Sequence, residues 1–574
     1  MKTKPLTLST ILLAISLQTV ADDAAKTYKA INSGNPISAC VFCADPTVLE
    51  YDGRLYVYGS NDHQQYIANG KSGSNGYGDI KSLVVFSTDD MVNWTFHGTI
   101  DVAKLCNSWG WRFAASWAPS VTWRVGSDGT PEFFLYFANS GGSIGVLKAN
   151  SPIGPWTSPL SKPLIDSSTP GVSPCNWIFD PGVVIDEDGT GWIAFGGGDP
   201  QPTGSKLMPG NSRMAKLKDS MTAIDGQAVN LPAPYLFEAS EMNIIGGRFV
   251  YTYNTSWSDR DDWAQYAKRG TAPAPSACSM CYMVTDSPLN PDAWEYRGEY
   301  VANPGTFGFG YGNNHTHLQK FGSSYYLFYH SMVLEQSMNT GASGFRSIGV
   351  NKVTVNEDKQ QLGKVTMNKS GVAATQNLDP YKLQQAETMS TAGGVSYEHF
   401  SNIDKASSIN GLGNDASKNL QVRMNAGAWT MVRNADFGQQ GASTFTLHAK
   451  GTGRLEIHLN NISATPAATL EFTSTTYNDH TVNLDPGKFT GVKKVFFVFT
   501  ESRNVYFDAW QFSEMGTDGV RLLSQPATCL QSLYDLQGRR LTANAKKQSI
   551  VVRQHLGTNG ERKWQKVLTS QKQR

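Results

Sequence analysis

Three acidic residues stand at matching places in a repeated sequence pattern. Asp45, Asp180 and Glu238 precede the centres of three similar aromatic-rich segments by 12, 13 and 12 residues. A single Asp-Pro is an ordinary turn signal, but three acids in one register favour a shared function. A carboxylic acid among apolar neighbours can keep its proton, while an ionised carboxylate nearby can act as a base. Cleavage of a glycosidic bond needs one group of each kind.

The segments that follow these acids belong to a five-fold repeat. Each copy is a turn followed by alternating aromatic and aliphatic residues, which predicts a β-strand. Successive centres are 78, 58, 57 and 77 residues apart, enough for a four-stranded sheet in each copy. Repeats of this length predict an all-β fold with a five-bladed β-propeller. The centres are Val57, Leu135, Ile193, Val250 and Leu327.

A propeller would bring the three acids together. The inner strands of all blades border one axis, so acids at equivalent inner positions converge at one mouth of the channel. Trp117 is the candidate wall of a sugar pocket, because an indole ring offers a large flat apolar face to a pentose. Packing in the core is the alternative interpretation of Trp117.

Composition and charge exclude nucleic-acid binding. The 574 residues include 49 Lys and Arg against 48 Asp and Glu, and no basic stripe runs between the aromatic residues. Nucleic-acid binding needs such a cationic surface. Only 17% of the residues are charged, whereas there are 55 Gly and 23 Tyr, which is typical of an all-β secreted protein.

The N-terminus also predicts export. Residues 1–4 are basic, 6–17 are mostly apolar, and small residues precede Asp22, which predicts a cleaved signal peptide over 1–21. The apolar run is shorter than the roughly 20 residues that span a bilayer, and no later segment is long and apolar enough. We therefore expect a protein that is secreted or held at the cell surface.

Seven cysteines suit an oxidising compartment. Cys40 and Cys43 form one close pair and Cys278 and Cys281 form another, and four such thiolates could bind zinc. Because the pairs are over two hundred residues apart in a chain predicted to be exported, disulfides are favoured over a zinc site. Sequence alone does not choose the pairing.

A second domain follows the repeats. The propeller pattern fades near Gln360, and short alternating strands return over 420–512, as in a β-sandwich of the jelly-roll type. Beyond Met515 the chain becomes basic and polar. The predicted parts are a signal peptide at 1–21, a catalytic propeller at 22–365, a β-sandwich at 378–515 and a short C-terminal tail at 516–574.

Several motifs of the first domain resemble those of one enzyme family. They are Ala-Asp-Pro-Thr at Asp45, Trp-Ala-Pro at Trp117, Phe-Asp-Pro-Gly at Asp180, Phe-Glu-Ala-Ser at Glu238, and segments 52–62 and 313–317. Over about 36–360 the chain resembles glycoside hydrolase family 43.

This resemblance implies a role for each acid. Asp45 would be the general base that activates water, Glu238 the general acid, and Asp180 the residue that orients the acid and raises its pKa. The family inverts anomeric configuration, so base and acid should stand about 6.5 to 9.5 Å apart. Glu241, three residues after Glu238, is the alternative acid.

The same resemblance implies two further site residues. The family often carries a histidine near the axis that holds a calcium ion, mainly through water, and His315 stands at that place. A satisfied core histidine is the alternative, and calcium prefers oxygen ligands. Arg346 resembles a family arginine that reaches substrate hydroxyls, with an exposed arginine at a blade edge as the alternative.

The second domain resembles carbohydrate-binding module family 6 over about 380–515. The resemblance rests on motifs at 385–388, 435–438 and 505–512. It implies polysaccharide binding, with Tyr477 as one aromatic of the sugar cleft, although Tyr506 stands where the family usually has an asparagine. The segment 534–540 resembles C-terminal sorting segments of secreted bacterial proteins, and a plain solvated tail is the alternative.

These features predict a secreted inverting hydrolase that releases α-L-arabinofuranose from arabinoxylan or related xylan. The same family motifs would also suit a β-xylosidase or an endo-acting xylanase or arabinanase. A non-catalytic polysaccharide-binding lectin is the alternative outside enzymes. A chain ending near Leu378 keeps all five repeats, so the sequence also predicts that the propeller folds and cleaves small substrates by itself.

Overall fold

A computed structural model describes residues 24–200, 204–403 and 415–514, together with the backbone of three strands beyond residue 532. The predicted signal peptide lies outside the described residues. The chain forms two compact units, of which one extends to Met515 without Val125–Thr130, and the other contains Val125–Thr130 and the tail. The first unit holds both the propeller and the sandwich.

Five antiparallel sheets follow one another along the described chain and form the blades of a propeller, which confirms the predicted fold. Each predicted repeat contains most of the second strand of its blade. The repeat length leaves room for four strands in every blade, but in the described residues blades 2 and 5 have three. The strands are, in blade 1, Ala44–Tyr51, Arg54–Ser60, Leu83–Thr88 and Trp94–Ile100; in blade 2, Trp117–Val125, Pro131–Asn139 and Ser143–Ala149; in blade 3, Gly182–Ile185, Gly191–Gly196, Ser212–Leu217 and Ile224–Asn230; in blade 4, Leu236–Ile245, Arg248–Thr255, Met280–Thr285 and Glu295–Val301; and in blade 5, Thr316–Phe321, Ser324–Ser331 and Ser347–Val353.

The first strand of each blade faces the axis, and hydrogen bonds tie the first strands of blades 1, 2 and 3 to one another. The backbone N–H of Val121 in blade 2 donates to Thr47 Oγ1 of blade 1 at 3.1 Å. The N–H of Val183 in blade 3 donates to Ser120 Oγ of blade 2 at 2.9 Å. These bonds cross from blade to blade, so the inner strands hold a fixed spacing around the axis.

Between neighbouring blades lie clusters of buried apolar side chains. In the second strand of blade 2, Phe133 and Leu135 pack toward blade 1, whereas Phe134 and Tyr136 pack toward blade 3. Successive side chains of a strand point to opposite faces. Because a blade is covered on both faces, its central strands are apolar without interruption, which is the repeat seen in the sequence.

Short elements fill the connections between these strands. In the described residues the α-helices are Asp62–Ala68, Val102–Leu105 and Val333–Met338, and the 3₁₀ turns are Asn107–Arg112, Trp263–Gln265, Ala267–Arg269, Pro291–Ala293, Pro304–Phe307 and Tyr397–His399. Small two-stranded pairs join Gly73–Ser74 to Ala342–Ser343 and Val355–Asn356 to Gln361–Leu362.

The second domain is a curled, sandwich-like sheet. Its longest strand, Val492–Glu514, pairs with Trp429–Asp436 near its start and with Leu420–Met424 further along. Gly451 has a φ of 112°, and a Cβ there would lie 2.4 Å from the backbone oxygen of Asn504. Only glycine therefore fits at this register shift of the sheet. The strands are Gln384–Gln385, Thr391–Gly393, Phe400–Asn402, Leu420–Met424, Trp429–Asp436, Ala442–Leu459, Ala468–Asn483 and Val492–Glu514.

The core of the sandwich is continuous with the seam between blades 5 and 1. One buried cluster contains Val57 and Phe86 of blade 1, Phe328 of blade 5, and Phe445 and Phe497 of the sandwich. Apolar area removed from water stabilises a fold by about 25 cal/mol per Å². The two predicted domains therefore share part of the area that stabilises them.

A segment at the start of the sandwich joins it to blade 1. The strand Thr388–Met389 pairs with the outer strand of blade 1 at Thr95 and Trp94. The Phe400 ring meets the Phe96 ring edge-on at 4.8 Å between centroids. Blade 1 is thus extended by a fifth strand that comes from the second domain.

The tail contains an antiparallel sheet of three strands, Leu533–Tyr534, Ile550–Leu556 and Arg562–Leu568. Most of the predicted 534–540 motif lies outside the described residues.

The described cysteines, all six up to Cys281, are free thiols, so the predicted disulfides are wrong for them. In the described part of the chain no helix has the length and apolarity to cross a membrane.

Candidate active site

The three predicted acids line one cavity at the mouth of the propeller axis. The cavity has a volume of about 420 Å³. Every blade contributes to its wall, and all lining residues lie between Asp45 and Arg346, so the sandwich does not form part of it. The lining residues are Asp45, Tyr77, Trp117, Ala118, Ser140, Gly141, Trp177, Phe179, Asp180, Glu238, Asn313, Asn314, His315, His330 and Arg346.

Irregular backbone turns the acids into this cavity. Asp45 lies in a register break of the inner strand of blade 1 and has a φ of 50°. Glu238 lies between two register breaks of the inner strand of blade 4, and Ala239 after it has a φ of 62°. Asp180 has a φ of 47°. Left-handed backbone costs about 1–3 kcal/mol at such residues, and a bulge re-aims a side chain out of the strand alternation.

Asp45 is buried among cationic and hydrogen-bonding groups. Its Oδ1 accepts from Arg346 Nη1 at 2.8 Å, and its Oδ2 accepts from Ser60 Oγ at 2.7 Å. His330 Nδ1 accepts the Asp45 backbone N–H at 3.1 Å. Burial alone would raise the pKa of Asp45, but the Arg346 guanidinium and the neighbouring His330 and His315 hold that pKa well below its usual range. Asp45 is therefore ionised at neutral pH.

Glu238 has the opposite protonation. Its side chain reaches the cavity, yet Oε1 is buried and makes no hydrogen bond within the described protein. Burial, followed by the negative charges of Asp180 and Asp45, raises the pKa of Glu238 well above its usual value, and the more weakly acting Arg346 does not offset this. Glu238 thus keeps a proton that a bound molecule can receive.

Asp180 is the third acid of the cavity wall. Burial and the charge of Asp45 raise the pKa of Asp180 to about 7. Its Oδ2 accepts the backbone N–H of Ala239 at 2.8 Å. Because Ala239 directly follows Glu238, this hydrogen bond fixes the backbone that aims the Glu238 side chain.

Glu241, the alternative acid, lies outside the cavity wall. It is buried, and its Oε2 lies 3.3 Å from His317 Nδ1. The Cα of Glu241 lies against Gly182 of blade 3, where a Cβ would approach to 2.5 Å. Glu238 and Glu241 are close in sequence, but a register break lies between them and their side chains have different surroundings.

Aromatic rings form the apolar part of the wall. Trp117 is half-buried, lines the cavity as predicted and donates its Nε1–H to the Tyr77 carbonyl at 3.1 Å. Trp177 meets Phe179 edge-on at 5.3 Å. The sequence reasoning missed Tyr77 and Trp177 as lining residues. Trp177 stands three residues before Asp180, so its closeness to the acidic motif could have identified it. Tyr77 lies in an irregular connection between strands, where no sequence pattern marks it.

Arg346 is buried in the wall of the cavity, not exposed at a blade edge. Its guanidinium bridges two carboxylates, Asp45 on one side and Asp62 on the other. The Tyr77 ring centroid lies 5.1 Å from the guanidinium carbon. The predicted contact with substrate hydroxyls stays a prediction, and the contacts that the structure shows are with these acids and this ring.

His315 lies at the axis beside Asp45, with its Nδ1 3.7 Å from Asp45 Oδ1. Burial lowers the pKa of His315 to about 4, so the ring is neutral at pH 7. Among the described residues, no three His, Cys, Asp or Glu side chains are grouped as metal ligands. His315 Nε2 and Asn314 Oδ1 are buried without a protein hydrogen bond in the described chain. These atoms suit ordered water or the water shell of a cation, not a direct ligand cage.

Tyr477, the predicted sugar contact of the second domain, lies on the sandwich, away from the cavity wall. Its ring stacks on His448 with 5.9 Å between centroids. Lys450 Nζ lies 4.7 Å from the ring centroids of both Tyr477 and Tyr506. Tyr477 and Tyr506 thus flank a lysine on the sheet.

Comparison with known proteins agrees with this architecture. The family model "Glycosyl hydrolases family 43" matches residues 33–360, and "Carbohydrate binding module (family 6)" matches 385–514. An arabinoxylan arabinofuranohydrolase from Bacillus subtilis is 38% identical over 85% of this chain and 93% of its own length. One from Paenibacillus polymyxa is 36% identical over 84% of this chain and 75% of its own length.

A solved structure shares the fold of both domains. It is a family 43 arabinoxylan arabinofuranohydrolase from Bacillus subtilis in complex with cellotetraose, with a TM-score of 0.75 and 35% identity. The similarity covers 85% of this chain and 99% of that chain. The chain described here belongs to glycosyl hydrolases family 43.

Proposed function

We propose that this protein is an inverting α-L-arabinofuranosidase that removes arabinose side chains from arabinoxylan. The observation that carries the proposal is the pair Asp45 and Glu238, which line one cavity with opposite protonation. The arabinoxylan substrate is supported by the two relatives that bear that activity in their names.

Asp45 is the proposed general base. Its Oδ2 accepts one hydrogen bond, from Ser60, whereas its Oδ1 accepts from Arg346 and also lies 3.1 Å from His330 Nδ1. A carboxylate oxygen has two acceptor sites, so capacity remains for a water molecule in the cavity. A base with a low pKa stays ionised over the working range, and its fixed orientation aims the water at the anomeric carbon.

Glu238 is the proposed general acid, and Asp180 supports it. Protonation of the leaving oxygen requires a carboxylic acid that is neutral before the reaction. The raised pKa of Glu238 meets that requirement. Asp180 contributes by its charge and by its hydrogen bond to the Ala239 N–H, which holds the acid in place.

Product analysis of the full chain tests this proposal. We expect arabinose without xylose from arabinoxylan, the activity that the names of the two relatives state. The first-formed anomer, followed by NMR, should have inverted configuration. Arabinan and xylobiose incubated in parallel serve as comparison substrates.

Other outcomes assign other functions. Xylose from xylobiose as the sole product would overturn the proposal in favour of a β-xylosidase, and shortened xylan or arabinan chains would indicate endo action. Binding of arabinoxylan without hydrolysis of any pentose substrate would indicate that the protein is a lectin and not an enzyme. The opposed protonation of Asp45 and Glu238 disfavours a lectin, since sugar binding alone does not require an acid beside a base.

We also propose that a structural calcium ion can bind near the axis, with His315 holding one of its waters. The buried, unbonded His315 Nε2 and Asn314 Oδ1 support this, while the absence of a three-ligand cluster in the described chain disfavours direct coordination. A bound ion would supply positive charge close to the buried carboxylates.

A chelator experiment tests the calcium proposal by stability. We expect EGTA to lower the thermal midpoint by several degrees and added calcium to restore it, since a ligand at about 100 times its Kd stabilises by about 2.7 kcal/mol. The same measurement on a His315→Gln variant should show a smaller response. Identical melting curves with EGTA and with millimolar calcium would contradict a calcium site.

A further inference from the structure

The carboxylate of Asp62 is buried behind the active site and does not line the cavity. It stands at the first position of the helix Asp62–Ala68. Its Oδ1 accepts from Arg346 Nη2 at 2.8 Å, and its Oδ2 accepts from Arg346 Nε at 2.9 Å. The Arg346 backbone N–H and Asn75 Nδ2 also donate to Oδ2, at 3.0 and 2.9 Å. The Asp62 carboxylate therefore binds both the guanidinium and the backbone N–H of Arg346.

The free end of the same guanidinium holds Asp45. Arg346 Nη1 donates to Asp45 Oδ1 at 2.8 Å. An arginine side chain has many rotamers, but a guanidinium fixed by a two-point pair has one orientation. Asp62 thus sets the direction in which Arg346 presents Nη1 to Asp45 Oδ1, while Ser60 holds the other oxygen of the Asp45 carboxylate.

The residues on either side of Asp62 are held by the sandwich domain. Asn61 Nδ2 donates to Tyr397 Oη at 3.3 Å, and the His63 ring stacks on the Tyr397 ring at 4.4 Å. His63 Nδ1 also accepts the Phe42 backbone N–H at 3.3 Å. The start of the helix is therefore fixed from the second domain as well as from the propeller.

We propose that Asp62 is a positioning residue for the base Asp45 and acts through Arg346; this rests on the proposed function. Stabilisation of the fold is an insufficient account of the pair, because a buried ion pair is often no better than apolar residues of similar volume. The orientation of a base, in contrast, depends on such a fixed contact, and a displacement of about 1 Å can cost about 100-fold in rate.

The test compares Asp62→Asn with two other variants of the full chain. We expect Asp62→Asn to lower kcat by about 10- to 100-fold, equally on arabinoxylan and on 4-nitrophenyl α-L-arabinofuranoside, with KM little changed. The decrease in kcat that follows from a misplaced base should not depend on the leaving group, because water must be activated in both reactions. Asp62→Glu keeps the charge and should recover part of kcat.

Glu335→Gln is the matched control. Glu335 is another buried acid of the same region, and its Oε2 accepts the backbone N–H of Phe345, the residue before Arg346. It has no described bond to the Arg346 guanidinium, so its loss should leave kcat unchanged even if the thermal midpoint falls.

Three results would overturn the positioning role. They are an unchanged kcat in Asp62→Asn, a loss confined to arabinoxylan, and an equal loss in Glu335→Gln. If Asp62→Asn does not fold, a wild-type kcat in Asp62→Glu with the carboxylate displaced by a methylene would likewise contradict the role. Absence of hydrolysis by the unaltered enzyme would overturn the proposed function itself, and the positioning role with it.

Discussion

Replacing Glu238 with glutamine is expected to slow the release of arabinose from arabinoxylan by about 10²- to 10⁴-fold, the usual contribution of a general acid. The loss on 4-nitrophenyl α-L-arabinofuranoside should be far smaller, because nitrophenolate leaves without a proton. Parallel measurement of kcat/KM on the two substrates checks this, since only the difference between them reports on protonation of the leaving group.

The pH dependence of the same variant gives a second readout. The raised pKa of Glu238 means that activity should fall as the pH rises through that pKa, when the acid loses its proton. For the unaltered enzyme this alkaline limb should be clear on arabinoxylan and weak on the nitrophenyl substrate, whose leaving group needs no proton, and it should disappear in Glu238→Gln. An alkaline limb that persists unchanged would assign it to another group, with Asp180 as the nearest candidate because its pKa is about 7.

Glu241→Gln is the matched control for the acid. Glu241 stands three residues away and is buried, but it faces His317 and not the cavity. We expect kcat/KM to stay close to wild type on both substrates. If instead Glu241→Gln shows the leaving-group-dependent loss and Glu238→Gln does not, the acid assignment moves to Glu241. Asp45→Asn should impair both substrates equally, because each needs activated water.

Cutting the chain near Leu378 is expected to abolish cooperative folding of the propeller or to lower its thermal midpoint by about 10 °C or more. The cut removes the strand Thr388–Met389 from blade 1 and uncovers Trp94 and Phe96. Each large apolar side chain that loses its burial costs about 1.5–3 kcal/mol. A few such losses approach the whole 5–15 kcal/mol that stabilises a typical domain.

A chain ending at Glu514 provides the control for this experiment. It keeps every described residue of the joint between propeller and sandwich, so it should melt like the full chain and cleave the nitrophenyl substrate at the same rate. If the chain ending near Leu378 also melts and cleaves like the full chain, the shared core contributes little and the propeller is an independent domain, as the sequence predicts.

The independence of the propeller stays a prediction, but the shared core shows a limit of what a strand pattern can predict. The repeats end near Gln360 and a new strand pattern begins later, so the sequence shows two modules. A strand pattern states which faces are apolar but not which partner covers them. Phe96 and Phe400 are ordinary apolar positions in their own segments, and their contact joins positions about 300 residues apart in the chain.

The cysteines show a similar limit. An exported chain with two Cys-x-x-Cys pairs favours disulfides on composition. In the structure Cys43 directly precedes the inner strand of blade 1, Cys281 lies in the third strand of blade 4, and both side chains are buried. The described cysteines are free thiols. Spacing along the chain reports no distance between sulfur atoms, so it could not distinguish these cases.

By itself, the sequence determined the all-β class, the five blades and the acids Asp45, Asp180 and Glu238, because a repeated strand pattern carries its own register and the acids recur within it. The tertiary structure alone decided which acid is ionised, that Glu238 and not Glu241 faces the cavity, and that Asp62 reaches Asp45 through Arg346. These depend on burial and on charges brought together from distant segments. The electrostatic energy of a carboxylate depends on its distance in space from other charges, and the order of the residues along the chain does not give that distance.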